Sequence, residues 1–298
     1  MELKEPLQIS EQVNRLIGHG MTGVDREAAE NLLGTISYYR FSGYALQFRK
    51  APNDSDFVKD VCNYGKICRI YMFDTKLRNL LREYIEITEI YYRTQISYHF
   101  AMAKCTTPPH DQHYDRNNYY RKEYFDQVME NFIKQKNYYK DSLVAKHHQS
   151  KYRDKYPLWV MTEMLSFSNV SKLYSSMYDS EKDRIASAVG TGRETLGNHL
   201  HCLSVLRNKC AHAGRLYNTI YNPPVKLSKR FLKKNNQVDN SSLFAYILVL
   251  IKRLPGEMEK MELIDRLDRL LQEFEDDINL QIIGFPENYR DILINNRG

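Results

Sequence analysis

Apolar residues recur every three or four positions along most of this chain. The clearest run starts at Ile67 and continues beyond Tyr91, which predicts one long amphipathic helix that reaches about Lys104. The charged residues of this run are expected mostly on the other faces of the helix: Asp74, Lys76, Arg78, Arg82, Glu83 and Glu86. No stretch of alternating apolar and polar residues is comparable, so strands should be few or absent. The pattern therefore predicts an all-α fold.

Capping residues and helix breakers predict shorter helices before and after this long helix. Ser10 and Asp25 are candidate N-caps of two short helices, and Gly20 and Gly23 break the chain between them. A loop is expected at 106–118, where turn residues cluster without a period. Five helices are expected downstream. The first runs from Pro157 to about Met177, the second from a Ser180 cap to Gly190, and the third from Thr191 or Gly192 through Arg207. An apolar helix near 241–254 and an acidic amphipathic helix near 257–282 follow.

Length and composition are those of an ordinary globular protein. The chain has 298 residues, of which 42% are apolar and 27% charged, so it can bury a large core as one domain or as two closely packed ones. We expect residues 1–50 to form a helical segment that docks on the core. Residues 51–220 should form the helical core that carries Arg207, and residues 221–298 a basic loop and C-terminal helices packed on the same domain.

Composition also predicts a soluble protein of the cytoplasm. The first residues, Met1 to Pro6, contain no apolar stretch behind a basic head, and the longest apolar run, Leu243 to Ile251, is far shorter than the roughly 20 residues that span a bilayer. The five cysteines are odd in number and never spaced C-x-x-C. This argues against a disulfide scaffold and a zinc ribbon, and it fits a reducing compartment.

Positive charge is concentrated in one part of the chain. The whole chain carries a net charge of +6, yet the 44 residues between Glu194 and Asp239 contain eight Lys or Arg, three His and no Asp or Glu. We call residues 195–238 the acid-free window. Such a window suggests a surface for phosphate groups, which Lys and Arg neutralise with release of counterions. For the basic segment at 226–234 taken alone, a solvated lysine-rich loop is an equally good interpretation.

Arg207 and His212 are the candidate chemical groups of the acid-free window. An Arg and a following His with four to six residues between them occur three times in the chain, so the spacing alone is not informative. On a continuous helix, five residues correspond to about 500°, and the two side chains would diverge by about 140°. Gly214 can end the helix just beyond His212. His212 then lies at a distorted helix end near Arg207, or each residue works with groups from another element.

The motif and two further blocks resemble the Abi-like (AbiD/AbiF) abortive-infection family of bacteria, whose members carry HEPN-type ribonuclease motifs. Arg207-Asn208-x-x-x-His212 is similar to the R-x4-6-H signature, and the longer string 206–218 is similar to its form in that family. The block 36–44 with Phe48-Arg49 resembles the N-terminal hallmark of the family. The block that starts at Asp74 and includes Glu86, Glu89 and 93–98 resembles its central helix. The resemblance covers roughly residues 5–220, in order.

The resemblance implies a HEPN-like helical bundle with additional N- and C-terminal helices, and RNA cleavage without a metal or other cofactor. It also implies a homodimer that brings two motifs over one cleft, and an association with a small noncoding RNA. Arg207 and His212 would be the catalytic residues, with Asn208 in support. The expected products are a 2′,3′-cyclic phosphate and a 5′-hydroxyl, because an imidazole can take the proton of the 2′-hydroxyl while arginine holds the phosphate.

Other charged residues have both a functional and a simpler interpretation. Glu89 and Arg93 could orient Arg207 or form a routine surface ion pair, and His99 could support the site or be an interfacial or core histidine. The block 38–41 could be a platform on which bases stack, but we interpret it as packing that docks the N-terminus. The basic residues of the window are candidate RNA-binding groups: Lys209, Arg215, Lys226, Lys229, Arg230, Lys233 and Lys234.

Metal chemistry has little support in the sequence. His110, Asp111, His113 and Asp115 could bind a metal, but a loop of this composition is usually solvated. His199 and His201 are two residues apart and point to different faces of a helix. We therefore predict no metal site and disfavour a metal-dependent nuclease, since the chain also has no P-loop and no H-E-x-x-H motif. The main alternative is a non-catalytic protein that holds a small noncoding RNA.

Overall fold

The computed structural model describes residues 3, 5–58 and 61–296, and over these residues it contains fourteen α-helices and no strand. The prediction of an all-α fold is therefore confirmed. Positions 1, 2, 4, 59, 60, 297 and 298, which fall within the three segments predicted from the sequence, lie outside the described residues. The helices are α1 (Ile9–Gly18), α2 (Arg26–Thr35), α3 (Tyr38–Ser42), α4 (Tyr64–Lys104), α5 (Lys122–Tyr138), α6 (Leu143–Tyr152), α7 (Leu158–Met164), α8 (Phe167–Ser176), α9 (Asp179–Ala188), α10 (Arg193–Ala211), α11 (Lys229–Lys234), α12 (Leu243–Arg253), α13 (Glu257–Glu273) and α14 (Tyr289–Asn295).

Two helices organise the bundle. The predicted long helix is α4, whose 41 residues extend about 60 Å at 1.5 Å per residue. Helices α7, α8, α9, α10, α12 and α13 pack against it, and α10 packs in turn against α8, α9 and α12. Contacts from Arg78 to Gly214 and from Arg207 to Glu89 show that α4 and α10 run antiparallel. Their contact brings the motif of α10 against the central helix.

The N-terminal helices begin close to their predicted caps. Asp25 caps α2 as expected, because its Oδ1 accepts a hydrogen bond of 3.2 Å from the Ala28 amide. The prediction of Ser10 as the cap of α1 is wrong by two residues, since the N-cap is Gln8. The carboxylate of Glu11 accepts a 2.7 Å hydrogen bond from the Gln8 amide, and this reciprocal cap starts the helix earlier.

The segment after Pro157 forms two helices where one was predicted. Ser166 accepts a 3.3 Å hydrogen bond from the Asn169 amide and so starts α8 after α7 has ended at Met164. Ser180 does not cap α9, which begins at Asp179 after Tyr178. Ser180 is therefore already inside the helix, where its hydroxyl donates to the neighbouring Glu181 carboxylate at 2.9 Å.

The C-terminal part contains both predicted helices and two short ones that were not predicted. The apolar helix is α12, buried on nearly all faces between α4, α10 and α13, as expected for a helix without a polar stripe. The acidic helix α13 ends at Glu273 and not near 282. The basic segment was predicted as a loop but contains α11, which Ser228 caps by accepting from the Phe231 amide at 3.1 Å. Helix α14 follows at the end.

One hydrophobic core joins all parts of the described chain. Buried side chains from Val13 to Leu293 form a single contiguous cluster, so the C-terminal helices share the core of α4 and α10. Among the described residues, no helix combines the length and the apolar character that are needed to cross a bilayer. The five cysteines are free, and three of them are buried.

Candidate functional site

The motif lies at the C-terminal end of α10, which Gly192 opens as predicted. The helix ends at Ala211. His212 follows as the C-cap with φ −98° and ψ 21°, which are no longer helical, but its amide keeps the helical hydrogen-bond register by donating to the Asn208 carbonyl at 3.0 Å. The chain then reverses at Ala213, which has a φ of 52°. His212 is therefore still in helical register, and the distorted helix end that would bring it to Arg207 is absent. The other expectation remains, in which each side chain works with groups from another element.

Gly214 allows the chain to pass close to the backbone of Lys209, and it is not the residue at which the chain reverses. Its amide donates to the Lys209 carbonyl at 2.7 Å, and a Cβ at this position would come within 3.2 Å of that same oxygen. The glycine thus permits a close approach of two backbone segments, whereas Ala213 takes the left-handed conformation that ends the helix. The turn is tight, and it presents His212 to the solvent.

Arg207 is held in place on one side and free on the other. Its Nε donates to Oε2 of Glu89 on α4 at 3.3 Å, and its side chain is 35% exposed. The two Nη groups make no hydrogen bond with the described residues. A guanidinium positioned in this way keeps its outer donors for an oxyanion such as a phosphate.

Glu89 and Arg93 are buried, so their interpretation as a routine surface ion pair is wrong. Arg93 pairs with Glu89 and also donates to the main-chain carbonyl of Thr162 on α7. The carboxylate of Glu89 therefore bridges two arginines, because its Oε1 accepts from Arg93 and its Oε2 from Arg207. Burial of this pair against α7 fixes the position of Glu89, and through it that of Arg207.

Asn208 and His212 differ in how they are held. The Asn208 side chain donates to the hydroxyl of Ser168 on α8 at 3.1 Å and so joins α10 to its neighbour. The His212 ring is exposed and makes no hydrogen bond or ion pair with the described residues. The structure records no direct contact between the Arg207 and His212 side chains. Helical register keeps them about 140° apart around the axis.

A buried carboxylate, Asp74, connects the three sequence blocks that carry the family resemblance. It is fully buried and accepts hydrogen bonds from the Leu216 and Tyr217 amides at 3.0 and 2.8 Å and from the Tyr44 hydroxyl at 2.6 Å, while it also pairs with Arg78. Burial raises the pKa of Asp74, and Arg78 together with the other donors opposes that rise.

The prediction that Asp74 and Arg78 lie on the outer faces of the long helix is therefore wrong. Both side chains are buried, because α4 is covered on several sides and must satisfy polar groups within the core. One signal was available in the sequence, since the two residues are spaced i,i+4 within a block that resembles the family. Arg78 also donates to the Gly214 carbonyl at 3.5 Å, which ties this network to the turn after His212.

Four cationic side chains line a cavity of about 560 Å³. The cavity is bordered by the turn that follows His212, at Ala213, Gly214 and Arg215. Lys209 and Arg215 come from the acid-free window, whereas Arg40 and Arg49 come from the N-terminal block. We call this space the cationic cavity. None of the described residues that line it is an Asp or a Glu, and no ion pair engages these four side chains among the described residues. Arg40 and Arg49 were not singled out from the sequence, because they are about 160 residues distant from Lys209 along the chain.

The basic segment lies elsewhere on α10. Nε2 of His199 contacts the Lys226 carbonyl at 3.0 Å, and the Lys226 amide donates to the Asn198 side chain at 2.6 Å. These positions precede Arg207 by eight or nine residues, or roughly 12 Å along the helix. The predicted RNA-binding residues therefore form two groups. One borders the motif, and the other is exposed beside the first half of α10: Lys226, Lys229, Arg230, Lys233 and Lys234.

His99 and the loop at 106–118 lie away from the motif. His99 is ten residues, or about 15 Å, beyond Glu89 along α4, where burial and Arg184 lower its pKa. In the loop, His113 is buried against the Tyr156 carbonyl at 2.9 Å, and Asp111 pairs with Lys155. The loop is thus packed and not merely solvated, and no group of metal ligands was found among the described residues.

Cys210 stands next to the motif but faces the core. Its side chain is buried, and burial raises the pKa of the thiol to about 12. A thiol in this state is not a nucleophile near neutral pH. Cys210 is therefore not a candidate nucleophile, and the exposed imidazole of His212 and the guanidinium of Arg207 remain the candidate groups of the motif.

The fold and the site describe an all-helical protein with an Arg-x4-His motif at a helix end. A family model described as Abi-like protein matches residues 31–218, which is a little under two thirds of the chain. The chain therefore belongs to the Abi-like protein family. The match begins later than the resemblance suggested, after α1, and it ends before the basic segment. No curated protein and no solved structure matches the chain.

Proposed function

We propose that this protein is a metal-independent endoribonuclease of a bacterial abortive-infection system and acts in the cytoplasm during antiphage defence. The observation that supports this most directly is the state of Arg207, which Glu89 holds at Nε while its outer donors stay free. Membership in the Abi-like family supports the abortive-infection context. The surrounding cations, which no carboxylate neutralises, favour a polyanionic substrate.

The proposed reaction is an attack within the RNA strand. The imidazole of His212 removes the proton of a 2′-hydroxyl, whose oxygen forms a new bond to the adjacent phosphorus as the bond to the 5′-oxygen breaks. The protonated imidazole then returns a proton to the leaving 5′-oxygen, so the products are a 2′,3′-cyclic phosphate and a 5′-hydroxyl. Arg207 holds the phosphate and stabilises the charge of the pentacoordinate state. DNA is not a substrate, because it has no 2′-hydroxyl.

A homodimer is part of the proposal. Arg207 and His212 diverge around α10, so the imidazole over a phosphate bound at Arg207 is expected from a second copy of the chain. Light scattering should then give a mass near twice 35.3 kDa. A strictly monomeric protein that still cleaves RNA would contradict the composite site.

A cleavage assay in EDTA tests the assigned chemistry. We expect Arg207→Ala and His212→Ala each to lower the rate of cleavage of single-stranded RNA by about a hundredfold or more. His201→Ala is the matched control, since His201 is exposed on the same helix and should leave the rate unchanged. If both variants cut RNA as well as the wild type, the assignment is wrong, and loss of wild-type activity in EDTA would indicate a metal-dependent reaction.

A non-catalytic RNA-binding protein is the second candidate. The observation that favours it is the His212 ring, which has no partner in the described chain to orient it as a base. In that case, a small noncoding RNA would be held by the exposed cations without being cut. Binding that persists in Arg207→Ala and His212→Ala, weakens steeply with salt and yields no product from the wild type would support this candidate.

A further inference from the structure

The cationic cavity is directly continuous with the turn that presents His212. Ala213, Gly214 and Arg215 line it on one side, and the N-terminal block lines it on the other. Its four cations come from two parts of the chain that are distant in sequence, and the fold brings them together around a space of about 560 Å³. Like charges gather in this way at sites for anions.

Two of the four cations are held in position by main-chain carbonyls. Nη1 of Arg40 donates to the Ala213 carbonyl at 2.5 Å, and Nη1 of Arg215 donates to the Gly43 carbonyl. The two bonds run in opposite directions between the N-terminal block and the turn, and they join these two parts of the chain. Each guanidinium retains other N–H donors, which a bound oxyanion can occupy.

Arg49 provides an independent sign that a ligand is expected. Its Nε is buried and has no hydrogen-bond partner among the described residues. A buried donor without an acceptor is costly, and in native proteins such groups usually have a functional explanation. The Nη groups of Arg49 also make no hydrogen bond with the described residues, and because this side chain lines the cavity, they can donate to a phosphate oxygen there.

Tyr39 gives the cavity a surface for a nucleobase. Its side chain is 89% exposed, and it lines the same space as the cations. Its neighbour Phe41 is fully buried, so the core accounts for Phe41 but not for Tyr39. An exposed aromatic ring beside a cationic groove is the arrangement that binds single-stranded nucleic acid, because every base offers a face for stacking.

We propose that the cationic cavity binds a phosphodiester next to the scissile one and that Tyr39 stacks on the adjacent base. This inference rests on the proposed function and specifies its substrate as single-stranded RNA, because bases in a duplex already stack on one another. In this proposal, the block 38–41 has a second role besides docking the N-terminus. Phe41 packs in the core, while Arg40 and Tyr39 contact the substrate.

Binding of a fully 2′-O-methylated oligonucleotide tests the cavity without cleavage. Fluorescence anisotropy at several salt concentrations gives the affinity and its salt slope. For the double variant Arg49→Gln/Lys209→Gln, we expect the slope to fall by about 1.4 and the affinity at 0.15 M salt to fall by roughly tenfold, since each contact to a single strand contributes about 0.7 to the slope. This variant leaves the bonds of Arg40 and Arg215 intact.

The matched control removes equal charge elsewhere. Lys140 and Lys146 are exposed on the surface near α6, and Lys140→Gln/Lys146→Gln should bind with the wild-type slope. Tyr39→Leu should lower the affinity by about tenfold at an unchanged slope, whereas Tyr39→Trp retains it. Tyr138→Leu, at another exposed tyrosine, should have no effect.

The outcomes separate this inference from the proposed function. If the wild type binds and cleaves RNA but Arg49→Gln/Lys209→Gln and Tyr39→Leu bind as the wild type does, the cavity is not a substrate site and the inference is overturned. If the wild type neither binds nor cleaves RNA, the proposed function itself fails. Equal losses in the control variants would also overturn the inference, because the effect would then be one of total charge.

Discussion

The two ends of α10 carry similar positive charge in very different structural settings. At the C-terminal end, a buried carboxylate fixes Arg207, and the main-chain carbonyls of Ala213 and Gly43 hold Arg40 and Arg215 beside it. Beside the first half of the helix, the basic segment exposes its lysines and attaches to α10 chiefly through His199 and Asn198. Charge with fixed geometry can position a phosphate for reaction, whereas exposed lysines attract RNA without orienting it.

The largest effect is expected from breaking the network that holds the C-terminal end. Asp74→Asn leaves Arg78 buried without its counter-charge, and breaking such a pair costs about 3–5 kcal/mol. Urea unfolding should show this loss in the free energy of unfolding. The control is Asp126→Asn, which removes an ion pair with Arg116 at the exposed surface and should leave stability unchanged. A similar stability for both variants would contradict the role of Asp74.

The next effect concerns the position of Arg207 in addition to the stability of the fold, since Glu89→Gln also removes the counter-charge of the buried Arg93. Glu89→Gln keeps the shape of the side chain but loses the charge that holds Arg207 and Arg93. We expect the cleavage rate to fall by about tenfold to a hundredfold with little change in RNA affinity, because a displaced group acts mainly on the reacting geometry. Glu86→Gln, on the exposed face of the same helix, serves as the control. An equal rate in both variants would mean that Glu89 does not position Arg207.

At the other end of α10, the attachment of the basic segment should depend on pH. Burial lowers the pKa of His199 to about 3, so the folded protein keeps this ring neutral where the unfolded chain would protonate it. Its contribution to stability is present above about pH 6.5 and is lost as the pH falls towards 3. Between pH 7.5 and 5, the loss is about 2 kcal/mol.

The variant His199→Gln separates this contribution from other acid effects. It should flatten the dependence of the unfolding free energy on pH over that range, as followed by thermal or urea unfolding. His201→Gln, at an exposed neighbour, should retain the wild-type dependence. A steep fall in stability that persists in His199→Gln would assign the pH effect to other groups.

The smallest effect is expected from the basic segment itself. Lys233→Gln/Lys234→Gln removes two exposed charges of α11, and stability should not change. RNA affinity should fall severalfold with a salt slope lower by about 1.4, while the cleavage rate at saturating RNA stays at the wild-type value. A lower cleavage rate at saturating RNA would mean that α11 takes part in the reaction. The two ends of α10 would then not differ in function.

Helix content and the long central helix could be predicted from the sequence, because amphipathic periodicity extends over many turns of α4. Local caps were harder to predict. Ser10 and Ser180 are good capping residues by type, yet α1 begins earlier with the reciprocal cap of Gln8 and Glu11, and α9 begins at Asp179 after Tyr178. The motif was recognisable, but the position of His212 was not, since the reversal occurs at Ala213 and not before it.

The sequence alone determined the helical class, the family and the acid-free window, because periodicity, ordered motifs and charge are properties of residues close together in the chain. Only the tertiary structure decided which charges are neutralised and which are free. Asp74 meets the amides of Leu216 and Tyr217, and Arg40 meets Ala213, across more than 140 residues. A helical pattern states which face of a helix is apolar, but the partner of each polar group depends on how the helices pack.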